Sequence, residues 1–122
     1  MIEQKVSKLN SYFEEKIAVC DQRNGELRTD DRTDEALFEK IKANVYDIFR
    51  TVLSVAVKTC GDEEAVRSFF VRRTETIPSG WVESYEKAKR HGDFVKMQIE
   101  QIKLDTIGEI KEQFAKVWEG TE

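Results

Sequence analysis

The stretch "ETIPSGWVESYEKAKRHGDF", Glu75 to Phe94, decides how many helices the second half of this chain contains. It holds the only proline, Pro78, and the only histidine, His91, together with Trp81 and Tyr85. Proline has no backbone N–H and disfavours helical geometry in the residue before it, so a helix is expected to end ahead of Pro78. Ser79 then has the chemistry to cap a new short helix in which Trp81, Tyr85 and Ala88 share one face. Gly92 is a stop signal, and Arg90 and His91 fall in the last turn, where cations suit the negative end of the helix dipole. His91 is read as such a terminal cation, because the sequence identifies no nucleophile or acid to work with it.

Beyond the stretch, Asp93 caps a long helix from about Phe94 to Glu119. Its apolar stripe is Val95, Ile99, Ile102, Ile107, Ile110, Phe114 and Val117, with Trp118 at the edge. Met97 and Leu104 project to another side, close to Gly108. A glycine inside a helix costs about 1 kcal/mol relative to alanine, which suggests close approach of a helix there. These three residues form a candidate helix-contact or dimer patch.

Before the stretch, Asp62 caps a short helix with Glu63 and Glu64 at its positive end and Val66, Phe69 and Phe70 on its buried face. The preceding segment, from Thr33 or Asp34 to about Cys60, carries the stripe Phe38, Ile41, Val45, Ile48, Val52 and Val55. Leu37, Phe49, Leu53 and Ala56 flank it. In "VYDIFRTVLSVAV" nine of thirteen residues are apolar, too many for one half-exposed face, so this is the expected central helix.

The first segment places Ile2, Val6, Leu9, Phe13, Ile17 and Cys20 on one helical stripe. Asn24-Gly25 is a stop signal for it, and Asp21 to Glu35, with six acids and three arginines, reads as a loop. The run "VRRTETI" is rich in β-branched residues, but no second strand candidate exists to pair with it. The expectation is an all-α, single-domain helical bundle over residues 1–122, with three long helices and two short ones.

With 122 residues, 36% charged and 39% hydrophobic, one core of ordinary size is affordable without disulfides or metal. The opening "MIEQKVSKLNSYFEEK" has charges every few residues and lacks the apolar centre of a secretory leader. "VLSVAV" is far too short to span a bilayer. A cytoplasmic protein with no membrane contact is expected, with Cys20 and Cys60 reduced.

No metal, cofactor or catalytic site is expected. One His and two isolated Cys make no zinc cluster, and the residue three before His91 is Ala88 rather than the Glu of a di-iron bundle. Neither Gly25 nor Gly61 is preceded by an Asp at EF-hand spacing, and no phosphate loop or dinucleotide fingerprint occurs. Adjacent acids such as Glu14-Glu15 and Glu63-Glu64 point about 100° apart on a helix and are better explained as solvated or dipole-facing charges.

Charge is uneven. Arg67, Arg72, Arg73, Lys87, Lys89 and Arg90 face three acids between Ala65 and His91, within a chain of net charge −4. Beside Trp81 and Tyr85 this candidate basic face suits phosphate, single-stranded nucleic acid or an acidic protein. The same aromatics are equally expected in the core. A small non-catalytic protein–protein interaction or regulatory module, with self-association into a homodimer included, is the first functional expectation. A nucleic-acid or phosphate-ligand binder using the basic face between residues 67 and 91 is the alternative, and a small apolar ligand between helices a third.

Overall fold

The computed structural model describes residues 2–120, which form four antiparallel helices. They are α1 (Ile2–Thr29), α2 (Thr33–Thr59), α3 (Glu63–Arg90) and α4 (Phe94–Glu119), joined by three-residue connections. Such short links force each helix to run back along its predecessor. The α1–α2 and α3–α4 hairpins pack on each other, with α2 touching all three other helices. All-α architecture is observed; the division into three long and two short helices is not.

The correction comes from Pro78, which lies buried inside a continuous α3. The missing N–H leaves the Thr74 carbonyl without its helical donor, and proline in a helix interior costs about 3 kcal/mol. Packing outweighs this cost. Val66, Phe70, Thr74, Ile77, Trp81, Tyr85 and Ala88 make one stripe that crosses Pro78 unbroken, and each is buried or half-buried. Ser79, expected to cap a new helix, serves the existing one. Ser79 donates its hydroxyl to the Thr76 carbonyl (2.7 Å), and Thr74 donates to the Val71 carbonyl (2.6 Å).

The expected loop from Asp21 to Glu35 shrinks to Asp30–Arg32. Gly25 does not take the left-handed conformation of a helix stop, which falls instead to Asp31 (φ 57°). Asn24 works as a pin, its amide donating to the Ala36 carbonyl of α2 at 2.6 Å. The N-cap of α2 is Arg32, without a side-chain cap bond, in place of Thr33 or Asp34. Arg32 pairs with Glu35 in the first turn, and its guanidinium holds the Glu35 carboxyl below the usual carboxylate range. The other two caps are as expected: Asp62 accepts from the Ala65 amide (2.8 Å) and Asp93 from the Lys96 amide (3.1 Å).

The core is aromatic. Phe70 stacks on Phe114 with centroids 4.2 Å apart, Phe114 stacks on Trp118 at 5.0 Å, and Phe49 meets Phe70 edge-on. Leu9, Phe13, Leu53, Val66 and Ile110 complete it. Lys5 closes this end of the bundle: its ammonium donates to Glu63 (3.0 Å) and to the Trp118 carbonyl (2.7 Å). The two cysteines are free, Cys20 buried and Cys60 half-buried.

The expected stripe of α2 turns out to be rotated, whereas that of α4 holds apart from its first residue. On α4, Val95 is exposed, while Trp118 joins Ile107, Ile110, Phe114 and Val117 in the core. On α2 the buried face is Ala36, Ala43, Val45, Tyr46, Phe49, Leu53 and Ala56. Phe49, Leu53 and Ala56, expected at the flank, are the centre. Ile48 and Val55, expected in the stripe, face outward.

Candidate functional site

That rotation leaves an apolar ridge on the surface. Leu37 is 45% exposed, Ile48 39% and Val55 41%, while Ile41 and Val52 are half-buried beside them. At about 100° per residue, these five side chains fall within roughly 60° of one another around α2. The buried Glu39, Tyr46 and Leu53 lie on the opposite side of the helix. The outward face of a bundle helix is ordinarily charged or polar. Here it carries five aliphatic side chains over some 18 residues, or about 27 Å, with Asn44 and Thr51 set among them.

Reading outward from Ile48 gives a heptad. Ile41, Ile48 and Val55 recur every seven residues, and Leu37, Asn44 and Thr51 interleave with them at steps of four and three. This is the spacing of an a/d seam, with β-branched residues at every a position and Leu37, Asn44 and Thr51 at the d positions. Thr51 satisfies its hydroxyl within the helix, donating to the Asp47 carbonyl at 3.0 Å. Lys40 and Asp47 border one side of the seam, both exposed, and Arg50 forms an ion pair with Asp47 from the following turn.

The six cations expected to make a basic face all lie on α3 but do not share a side of it. Arg72 and Arg90 point the same way, Arg73 and Lys87 are turned about 60–100° to one side and Lys89 about 100° to the other, and Arg67 lies near the packed face. Glu75, Glu83 and Glu86 stand on the exposed side between Arg72 and Arg90. Arg67 pairs with Glu64 at 3.5 Å, and Arg73 lies 4.9 Å from the centre of the Phe69 ring. Trp81 and Tyr85 are half-buried on the inner side, and Lys103 of α4 sits 5.8 Å from the Trp81 ring. The aromatics and the outer cations therefore face different ways.

The Met97, Leu104 and Gly108 patch has a different character from that expected. Met97 and Leu104 are half-buried at the margin of the α4 core face. Gly108 is exposed, and a Cβ built there meets nothing within 4 Å, so no helix approaches it closely within the chain. His91 is the C-cap of α3, exposed, with its backbone N–H on the Lys87 carbonyl (3.2 Å).

Elsewhere the surface offers little built chemistry. A cleft of about 670 Å³ at the Asp30–Arg32 turn is lined by Arg23, Asp30, Arg32, Glu35 and Glu39, largely occupied with one another. A space of about 180 Å³ between α3 and α4, beside Phe70, Thr74, Phe114 and Trp118, is smaller than the roughly 300 Å³ at which ligand pockets begin. Among the described residues no group of three or more His, Cys, Asp or Glu is placed to hold a metal ion. No helix of the described residues is long and apolar enough to cross a membrane.

Buried Tyr46, half-buried Tyr12 and exposed Glu109 form a titratable cluster that joins three elements, α1, α2 and α4. Tyr46 donates to Glu109 at 2.8 Å and meets the Tyr12 ring edge-on. Burial first, and then the Glu109 charge, push Tyr12 up to about 12. Burial pushes Tyr46 higher still, helped by its bond to Glu109. Both phenols are thereby held neutral, as struts between helices.

Comparison with known protein families, curated proteins and solved structures finds no match for the chain in any of the three.

Proposed function

We propose that this chain is a non-catalytic protein–protein interaction module that docks through the outer face of α2. The observation that carries this reading is the solvent-facing heptad of Ile41, Ile48 and Val55 with Leu37. Each such side chain left in water forgoes burial worth roughly 1.5–3 kcal/mol when complete. Aliphatic side chains gathered on one outward face and bordered by charges are the usual mark of a surface that another protein covers. The alternative of a nucleic-acid or phosphate binder finds less support, since Glu75, Glu83 and Glu86 interrupt the exposed cations of α3.

The test is site-specific photo-crosslinking in the cells that produce the protein. A photoreactive phenylalanine analogue replaces Ile48 in one variant and Glu112, exposed on the outside of α4, in another. An adduct from position 48 with none from position 112 is the expected result. A folded position-48 variant that gives no protein adduct overturns the proposal.

A further inference from the structure

We infer that the occupant of the α2 ridge is a second copy of this chain, its α2 lying antiparallel to the first. The inference rests on the ridge being a docking surface, as proposed above, and adds what docks there and in which register.

The charge pattern beside the seam is self-complementary. Lys40 and Asp47 occupy successive g positions, one heptad apart on the same flank, and both are exposed. In an antiparallel pair related by a two-fold axis, each g flank faces the g flank of the other copy. Lys40 then meets the partner's Asp47, and symmetry supplies the same bond a second time. A parallel pair would set each g position against an e position. The e positions here are Val45 and Val52, which offer Lys40 and Asp47 nothing to bond.

The same charges choose the register. With Lys40 opposite the partner's Asp47, Leu37 packs against the partner's Ile48 and Ile41 against the partner's Asn44, each pair occurring twice. A shift of one heptad would match Leu37 with the partner's Val55, but would also bring the two Asp47 side chains together. Like charges held side by side disfavour that register.

Size sets the strength. In this register the paired seam runs from Leu37 to Ile48, about 17 Å, with Val55 beyond it, and so buries on the order of 600 Å² over both copies. That is below the usual size of specific interfaces, which points to a weak dimer that forms only towards the upper end of the micromolar concentration range.

The experiment is sedimentation equilibrium on the whole chain from about 10 to about 500 µM near physiological salt. The wild type is expected to pass from one chain mass to two. Ile48→Asp, an exposed site whose helical spectrum and melting should be retained, is expected to weaken dimerisation at least about 30-fold. Lys40→Asp and Asp47→Lys should each weaken it about 3- to 10-fold, and the double variant K40D/D47K should restore it. A wild type that stays monomeric at the highest concentration overturns the inference. A dimer indifferent to Ile48→Asp does so too, and failure of the double variant to recover overturns the antiparallel register. A monomer here together with a crosslink from position 48 to a different protein would sink the homodimer and leave the docking face standing.

Discussion

The end of the bundle around the Cys60–Asp62 turn and the end holding the other two turns are packed by different means. At the first, four aromatic rings from three helices stack or meet edge-on, and Lys5 seals them with two hydrogen bonds. At the second, the apolar core has ended by Cys20, Ala43 and Ile107, and what lies buried beyond is Ala36, Glu39, Ala88 and Glu100. Glu100 is 1% exposed and lies 3.2 Å from Lys103 and 3.4 Å from Lys96, with its second oxygen unbonded. Stability is therefore concentrated at one end. The other end is held by small residues, ion pairs and the Asn24 bond, the kind of packing that opens first.

The contrast breaks most readily at the rings. Phe70→Ala removes the side chain shared by two of the ring contacts and is expected to cost about 3–5 kcal/mol, read from urea unfolding. A loss under about 1 kcal/mol would mean the aromatic end is not the stable one.

Alkali probes the struts between the two ends. Tyr12 and Tyr46 hold their protons more tightly folded than unfolded, so the folded state binds more protons above the ordinary phenol pKa near 10. Their contribution is complete below about pH 10 and is lost as pH rises through about 12 and beyond. Urea midpoints should hold steady to about pH 9.5 and then fall, and less steeply in Tyr46→Phe. Absorbance of the ionised phenols should appear together with unfolding.

At the polar end, Glu100→Leu replaces a buried, incompletely bonded carboxylate with an apolar side chain of similar size. It is expected to raise stability by about 1 kcal/mol, since buried ion pairs often contribute less than hydrophobic replacements. A marked loss in the same urea assay would show that the two lysines hold this end together.

Gly108→Ala is the smallest effect. With open space at that position, alanine should raise the melting midpoint by the equivalent of roughly 0.5–1 kcal/mol through helix propensity alone. A decrease would point to a contact at that site from outside the chain.

The helical class was readable from spacing. The α1 stripe from Ile2 to Cys20, the caps at Asp62 and Asp93 and the stop at Gly92 all follow from local chemistry, and local chemistry is what a sequence carries. Pro78 was misleading because its penalty is local, while the stripe that overrides it is longer than any single turn signal. Val66, Phe70, Ile77, Trp81, Tyr85 and Ala88 were visible throughout, but only packing against α4 makes their burial worth more than a lost hydrogen bond. Gly25 misled in the same way, its stop signal overridden by the bond from Asn24 to α2.

The candidate site was half legible. Ile41, Ile48, Val52 and Val55 stood out as apolar, and α2 was recognisable as carrying more apolar surface than one face needs. Periodicity alone does not say which of two apolar faces turns inward, because both repeat at the helical period. That choice belongs to the tertiary structure. The face with Ala36, Ala43 and Ala56 beside Tyr46, Phe49 and Leu53 alternates small and large side chains, and close packing requires such complementary volumes from facing helices. The face without them was left in water.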